Sequence, residues 1–157
     1  MRTAGILLLL IGLNISIYAE ELKIRANSFT SDQNTGISVF KGNVNIVKSQ
    51  DELNASKVTI FVNKKKKPVK FVAVGNVSFT IATKNGAKYK GVSGKAIYFP
   101  MKKEYYFYNN VHLQQLNDKN EILGDEVVLK TIDGKAYAKG LKKEPVIMIF
   151  NIDEDKK

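Results

Sequence analysis

Cysteine and tryptophan are absent from the 157 residues, proline occurs three times and histidine once. Without cysteine there is no disulfide framework, no thiolate metal site and no thiol nucleophile, and the redox compartment is left open. The single histidine, His112, sits in a strand-like stretch between Val111 and Leu113, in the phase opposite to its apolar neighbours. No Ser/His/Asp arrangement can be read around it, and no His/Asp/Glu set has metal-ligand spacing. The acidic pairs and runs, Asp125-Glu126 and Asp153-Glu154-Asp155, lie beside a turn and in the C-terminal tail, where carboxylates are ordinarily solvated. No catalytic residue, cofactor or metal is therefore expected, and an enzyme is not the reading these residues favour. Nor does any segment after residue 20 carry a sustained helical stripe.

Long apolar runs are scarce too. The one candidate is Ala4–Leu13, preceded by Arg2 and followed by "NISIYAEE". A basic residue, a short apolar stretch and a small residue at Ala19 describe an export signal cleaved after that alanine. The run is well short of the roughly 20 apolar residues that span a bilayer, although a retained anchor is the alternative. Residues 1–19 are expected to be the signal peptide and 20–157 a single mature domain. Losing the signal removes Arg2 and lowers the net charge from +10 to +9. A surface this basic seeks anionic company. An exported protein seldom meets nucleic acid, so lipid phosphate or an acidic protein ranks higher.

What the chain does have is repetition. "FKGNV" (Phe40–Val44) is followed 33 residues on by "AVGNV" (Ala73–Val77) and 34 further by "FYNNV" (Phe107–Val111). Between them recur strands that open on a small residue: "ANSF" from Ala26, "ASKVTIFV" from Ala55, "GKAIYF" from Gly94 and "GDEVVL" from Gly124. Repeats of this length signal a supersecondary unit stacked on copies of itself. Period-two alternation at Val58, Ile60 and Val62, and at Val77, Phe79 and Ile81, makes the unit β. Asn85-Gly86 and Asp133-Gly134 supply hairpin turns.

Aligned copies give rungs on one face: Phe40, Ala73 and Phe107; Val44, Val77 and Val111; Ile46, Phe79 and Leu113. The other element contributes Val58, Ile97 and Val127, then Ile60, Phe99 and Leu129. The Gly-Asn or Asn-Asn step inside each copy is read as a bulge that bends the strand, because both residue types tolerate positive φ. A bend at one height of successive strands rolls a sheet into a jelly roll or rolled sandwich.

Taken together, the export signal, the β-only chain and the "A-x-x-V … F-x-G-N-V-x-I" copies from Ala26 to Gly140 resemble the LptA (OstA-like) periplasmic lipopolysaccharide-transport family. The resemblance implies an all-β, open antiparallel jelly roll in the periplasm. It implies a carrier that receives lipopolysaccharide, holds the lipid A acyl chains in an apolar groove and bridges towards the outer membrane. Inner-membrane LptC-like and outer-membrane LptD-like proteins and a head-to-tail homo-oligomer are the implied partners. Each CH₂ left in water costs about 0.8 kcal/mol, so such cargo requires a continuous apolar lining. The rungs offer one in Phe40, Val44, Ile46, Ile60, Phe71, Val77, Phe79, Phe99, Phe107, Val111, Leu113 and Leu129. From the residues alone, an ordinary filled core is the competing reading. An LptC-like anchored component and a structural β protein without lipid are the competing functions.

Three further features stand out. "NKKKKPVK" places Lys64, Lys65, Lys66 and Lys67 in a hairpin loop, either as a solvated cap or as contacts to lipid A phosphates or a membrane surface. "EYYFYNN" puts Tyr105 in phase with Phe107, and Tyr106 and Tyr108 on the other face. After Gly140 the repeat fades. Val146, Ile147, Met148, Ile149 and Phe150 are read either as a head-to-tail edge or as a strand buried on both sides.

Overall fold

The computed structural model describes residues 21–141 and 144–152; the expected signal peptide lies outside them. Ten strands form one antiparallel sheet: β1 (Leu22–Arg25), β2 (Ser28–Asp32), β3 (Ile37–Lys48), β4 (Asp51–Val62), β5 (Pro68–Ala82), β6 (Lys88–Phe99), β7 (Glu104–Gln115), β8 (Glu121–Lys130), β9 (Lys135–Lys139) and β10 (Ile147–Ile149). Strands β3 to β8 pair in chain order as a meander. Both β1 and β2 pair with the outer edge of β3, and both β9 and β10 with that of β8.

The six long strands are bent at one level, and the repeated pentapeptides are the reason. Gly42-Asn43 and Gly75-Asn76 have φ of +81°, +46°, +86° and +46°, and Asn109-Asn110 have +67° and +50°. Each pair stands opposite a single residue of the next strand, so the register shifts there: Lys41 faces Lys57, but Val44 faces Ala55. The same shift recurs between Val74 and Val77 and between Tyr108 and Val111. Because two residues are inserted against one, the inward phase passes through the bulge unbroken. Glycine suits more than the dihedral at Gly75. A Cβ there would lie 2.9 Å from the Ser56 side chain.

The line of bulges divides the sheet into two leaves that fold over each other. The first leaf holds β2, β9, the early halves of β3, β5 and β7, and the late halves of β4, β6 and β8. The second holds the complementary halves with β1 and β10. The inner faces supply one hydrophobic core. Val44, Val58, Val77, Phe107, Val111, Leu113, Val127 and Leu129 are all but sealed from solvent, each contributing about 1.5–3 kcal/mol through apolar burial. Across the fold, the Phe79 and Phe107 rings stack at 3.9 Å. At the rim the Lys84 amide donates to the Thr131 carbonyl at 3.0 Å. The structure is thus an open all-β jelly roll.

The rungs are found as read for the pentapeptide strands. Phe40, Val58, Ala73, Ala96, Phe107 and Val127 form one continuous row, and Ile46, Leu53, Phe79, Gly91, Leu113 and Ile122 another. On β6 the reading is corrected. Ile97 and Phe99 point to the outer face, while Ala96 and Tyr98 point inward. The counterpart of Ala55 is Ser93, which is buried and pairs with Val77, so the small-residue start of β6 lies one position earlier than "GKAIYF" suggests. A one-residue slip in a period of two exchanges the faces.

Candidate functional site

Between the leaves lies an open, largely apolar slot of about 250 Å³. Ile46, Leu53, Phe79 and Ile81 reach it from the second leaf, and Val58, Phe71, Ala73, Ala96, Tyr98 and Tyr105 from the first; Leu22 and Pro68 sit at its margin. Each strand donates alternate side chains to it, which is why the period-two pattern and the slot coincide.

An aromatic ladder crosses from the second leaf to the first and runs on along it. From Phe79 it passes to Phe107 (3.9 Å), Tyr105 (5.9 Å), Tyr98 (4.3 Å) and Phe71 (6.0 Å). Gly91, opposite Phe79 on β6, makes room for this: a Cβ at Gly91 would stand 2.6 Å from the Phe79 ring.

Lys48, Asp51, Glu52 and the phenols of Tyr98 and Tyr105 interrupt the apolar lining. The Tyr105 hydroxyl donates to Asp51 Oδ2 at 2.9 Å, and Asp51 Oδ1 accepts the Ala82 amide at 2.9 Å. Burial, then the neighbouring Asp51 charge, holds the Tyr105 phenol well above its ordinary pKa. It stays a neutral donor. Nearby, Lys48 Nζ lies 5.9 Å from the centre of the Tyr98 ring, spanning the same opening.

Most of the residues read from the sequence meet on this interior. Val44, Ile46, Ile60, Phe71, Val77, Phe79, Phe107, Val111, Leu113 and Leu129 are buried in the core; Ile46, Phe71 and Phe79 border the slot. Phe40 is half-buried, packed against the core and 5.0 Å from Phe29 on β2. Phe99 is outside, edge-on to Tyr106 at 5.4 Å with Lys102 5.9 Å away. Tyr98 and Asp51 also line the slot. The repeat alignment turns Tyr98 outward through the β6 slip, whereas Asp51 carries a sequence signal, an acid in the inward phase of Leu53 and Ala55.

Lys64 to Lys67 form the exposed tip of the β4–β5 hairpin, and Pro68, next in the chain, borders the slot. The Asn63 side chain holds the tip by accepting the Lys65 and Lys67 amides at 2.9 and 3.0 Å. Ile147, Met148, Ile149 and Phe150 are exposed; among the described residues β10 pairs with β8 alone, as an edge strand and not one buried on both sides. His112 is on the outer face, its Nε2 3.4 Å from Glu121. Among the described residues no group of His, Asp and Glu is placed to hold a metal ion.

The family model described as LptA/(LptD N-terminal domain) LPS transport protein matches residues 23–135. No curated protein matches in sequence. A solved structure with a similar backbone is LptH, described as the LptA-homologous periplasmic component of the conserved lipopolysaccharide transport device from Pseudomonas aeruginosa. It superposes with a TM-score of 0.74 over 85% of this chain and 96% of that one, at 17% identity. At that identity the likeness speaks for the fold.

Proposed function

Since this chain belongs to the LptA/(LptD N-terminal domain) family of lipopolysaccharide-transport proteins, we propose that it is a periplasmic, non-catalytic carrier that takes lipid A acyl chains between its two leaves. The observation that carries this reading is the slot itself. A fully filled jelly roll needs no gap, yet here an apolar opening persists beside an aromatic ladder. Its volume exceeds the about 150 Å³ that admits a benzene-sized guest and stays dry. One hydrocarbon segment fits the leaves as they stand; several tails require the leaves to part, and the contacts that must yield include Tyr105–Asp51 and the Lys84–Thr131 backbone bond at the rim.

Other elements take supporting roles in this proposal. Lys64 to Lys67, one residue from the slot margin, meet phosphates as point charges while tails lie inside. The open edge of β10, with Val146 to Phe150, adds to the sheet of a second copy or of an LptC-like or LptD-like partner. Residues 1–19 act as the cleaved export signal and 20–157 as one domain.

Photo-crosslinking in cells tests the carrier. A photoreactive residue at Phe79, Phe71 or Leu53 is expected to capture lipopolysaccharide, and one at Thr80 or Phe99 is not. Capture from the outer positions alone would overturn the reading, as would purified protein that neither carries nor binds lipopolysaccharide.

A further inference from the structure

The outer face of the first leaf has an order that its fold does not require. One row running from β3 to β9 reads Val39, Thr59, Val72, Ile97, Tyr106, Val128 and Tyr137. It is an almost uninterrupted apolar and aromatic stripe on the side turned away from the core, half-buried along its length and ending at Tyr137, which is 52% exposed. The row on the bulge side carries Lys41, Lys57, Lys95 and Lys139 beside Val74, Tyr108 and Glu126. The row on the other side carries Lys70, Lys130 and Lys135 with Phe61, Phe99 and Glu104. Lysine heads lie over rings at Lys70–Phe61, Lys95–Tyr108 and Lys130–Tyr137, each 5.5–5.9 Å from the centroid.

A solvated outer face ordinarily alternates charges of both signs. With Asp32 of β2, which continues the row of Lys70 through Ile37 to Phe61, seven lysines meet three carboxylates. Glu104 is already engaged by Lys130 at 3.7 Å and by the Tyr106 hydroxyl, and Asp32 accepts the Asn34 amide at 2.8 Å. We infer that this face docks on the surface of an anionic phospholipid bilayer, with the stripe at headgroup depth and both lysine rows on lipid phosphates. The charge balance fits an anionic partner, and the choice of cation favours lipid over protein. Protein interfaces are enriched in arginine and depleted in lysine, whereas Arg2 and Arg25 are the only arginines of the chain. Lysine keeps its head at the phosphates while its stem covers apolar surface, and tyrosine prefers the membrane–water boundary. The surface stands apart from the slot and does not rest on what the slot carries.

Flotation of the full chain with vesicles tests it. Binding is expected to vesicles of mixed phosphatidylglycerol and phosphatidylcholine at low salt, to weaken at high salt, and to be absent with phosphatidylcholine alone. Replacing exposed Lys41, Lys57 and Lys139 together by Gln is expected to weaken it about a hundredfold, at about fivefold per lysine. Replacing Lys64 to Lys67 by Gln is expected to cost less than that, and circular dichroism checks that both variants fold. Absence of binding to the anionic vesicles at low salt would overturn the inference. So would binding abolished by the hairpin-tip variant and untouched by the face variant. Binding to polyglutamate but not to vesicles, lost in the face variant, would assign the surface to an acidic protein instead.

Discussion

The phenol of Tyr105, on the first leaf, and the carboxylate of Asp51, at the rim of the second, are joined across the slot by a 2.9 Å hydrogen bond. The same carboxylate accepts the amide of Ala82, so one side chain ties the end of β5 to a strand of the opposite leaf. Among the described residues no buried side-chain polar atom lacks a partner. The latch is therefore a complete network whose members depend on one another.

Removing the acceptor should cost more than removing the donor. Asp51→Ala strands both a buried hydroxyl and a backbone amide and is expected to lose about 1–3 kcal/mol per orphaned group. Tyr105→Phe loses about 1 kcal/mol. Urea unfolding of the two variants measures the order; an Asp51→Ala protein as stable as the parent would dismiss the latch.

The latch also sets an alkaline limit. The Tyr105 phenol is raised above its ordinary value of 10.0 by burial and by Asp51, so the folded state holds that proton to higher pH than the unfolded chain. Its stabilising contribution is complete below about pH 10 and is lost as pH climbs beyond it. Melting temperature should fall above pH 10, and the fall should be shallower in Tyr105→Phe. Parallel pH profiles for the two proteins would contradict this.

Two glycines with similar dihedrals should respond differently to alanine. Gly75 and Gly86 have φ of +86° and +90°, but a Cβ at Gly75 meets Ser56 at 2.9 Å, while at Gly86 nothing lies within 4 Å. Gly86→Ala is expected to lose about 1–2 kcal/mol from the left-handed conformation alone. Gly75→Ala should lose more, because the bulge must also shift. Thermal unfolding of both variants decides; equal losses would mean that the bulge tolerates the methyl group.

If tails occupy the slot, polarity at its wall should matter and polarity outside should not. Leu53→Asn, at a half-buried lining position, is expected to weaken binding of purified lipopolysaccharide about tenfold, equivalent to exposing about two CH₂ groups. Phe99→Asn, on the outer face, should leave it unchanged. A reversed order would place the lipid on the outer face.

Much of this molecule was legible in the chain. The spacing of the Gly-Asn and Asn-Asn steps set where six strands bend, because their positive φ is a local property that glycine and asparagine carry wherever they stand. Alternation then placed Phe40, Val44, Phe79, Phe107 and Leu113 on one side, since a strand's phase is fixed residue by residue. Tertiary structure decided what depends on register between distant segments. Ser93, not Gly94, is the counterpart of Ala55 on β6, and only pairing with Val77 reveals it; Tyr98 and Phe99 exchange faces as a result. Likewise Asp51 and Tyr105, 54 residues apart, become partners only when the leaves fold over. Local dihedral preference is written in each residue, whereas the closing of two leaves is a balance of packing over the whole sheet.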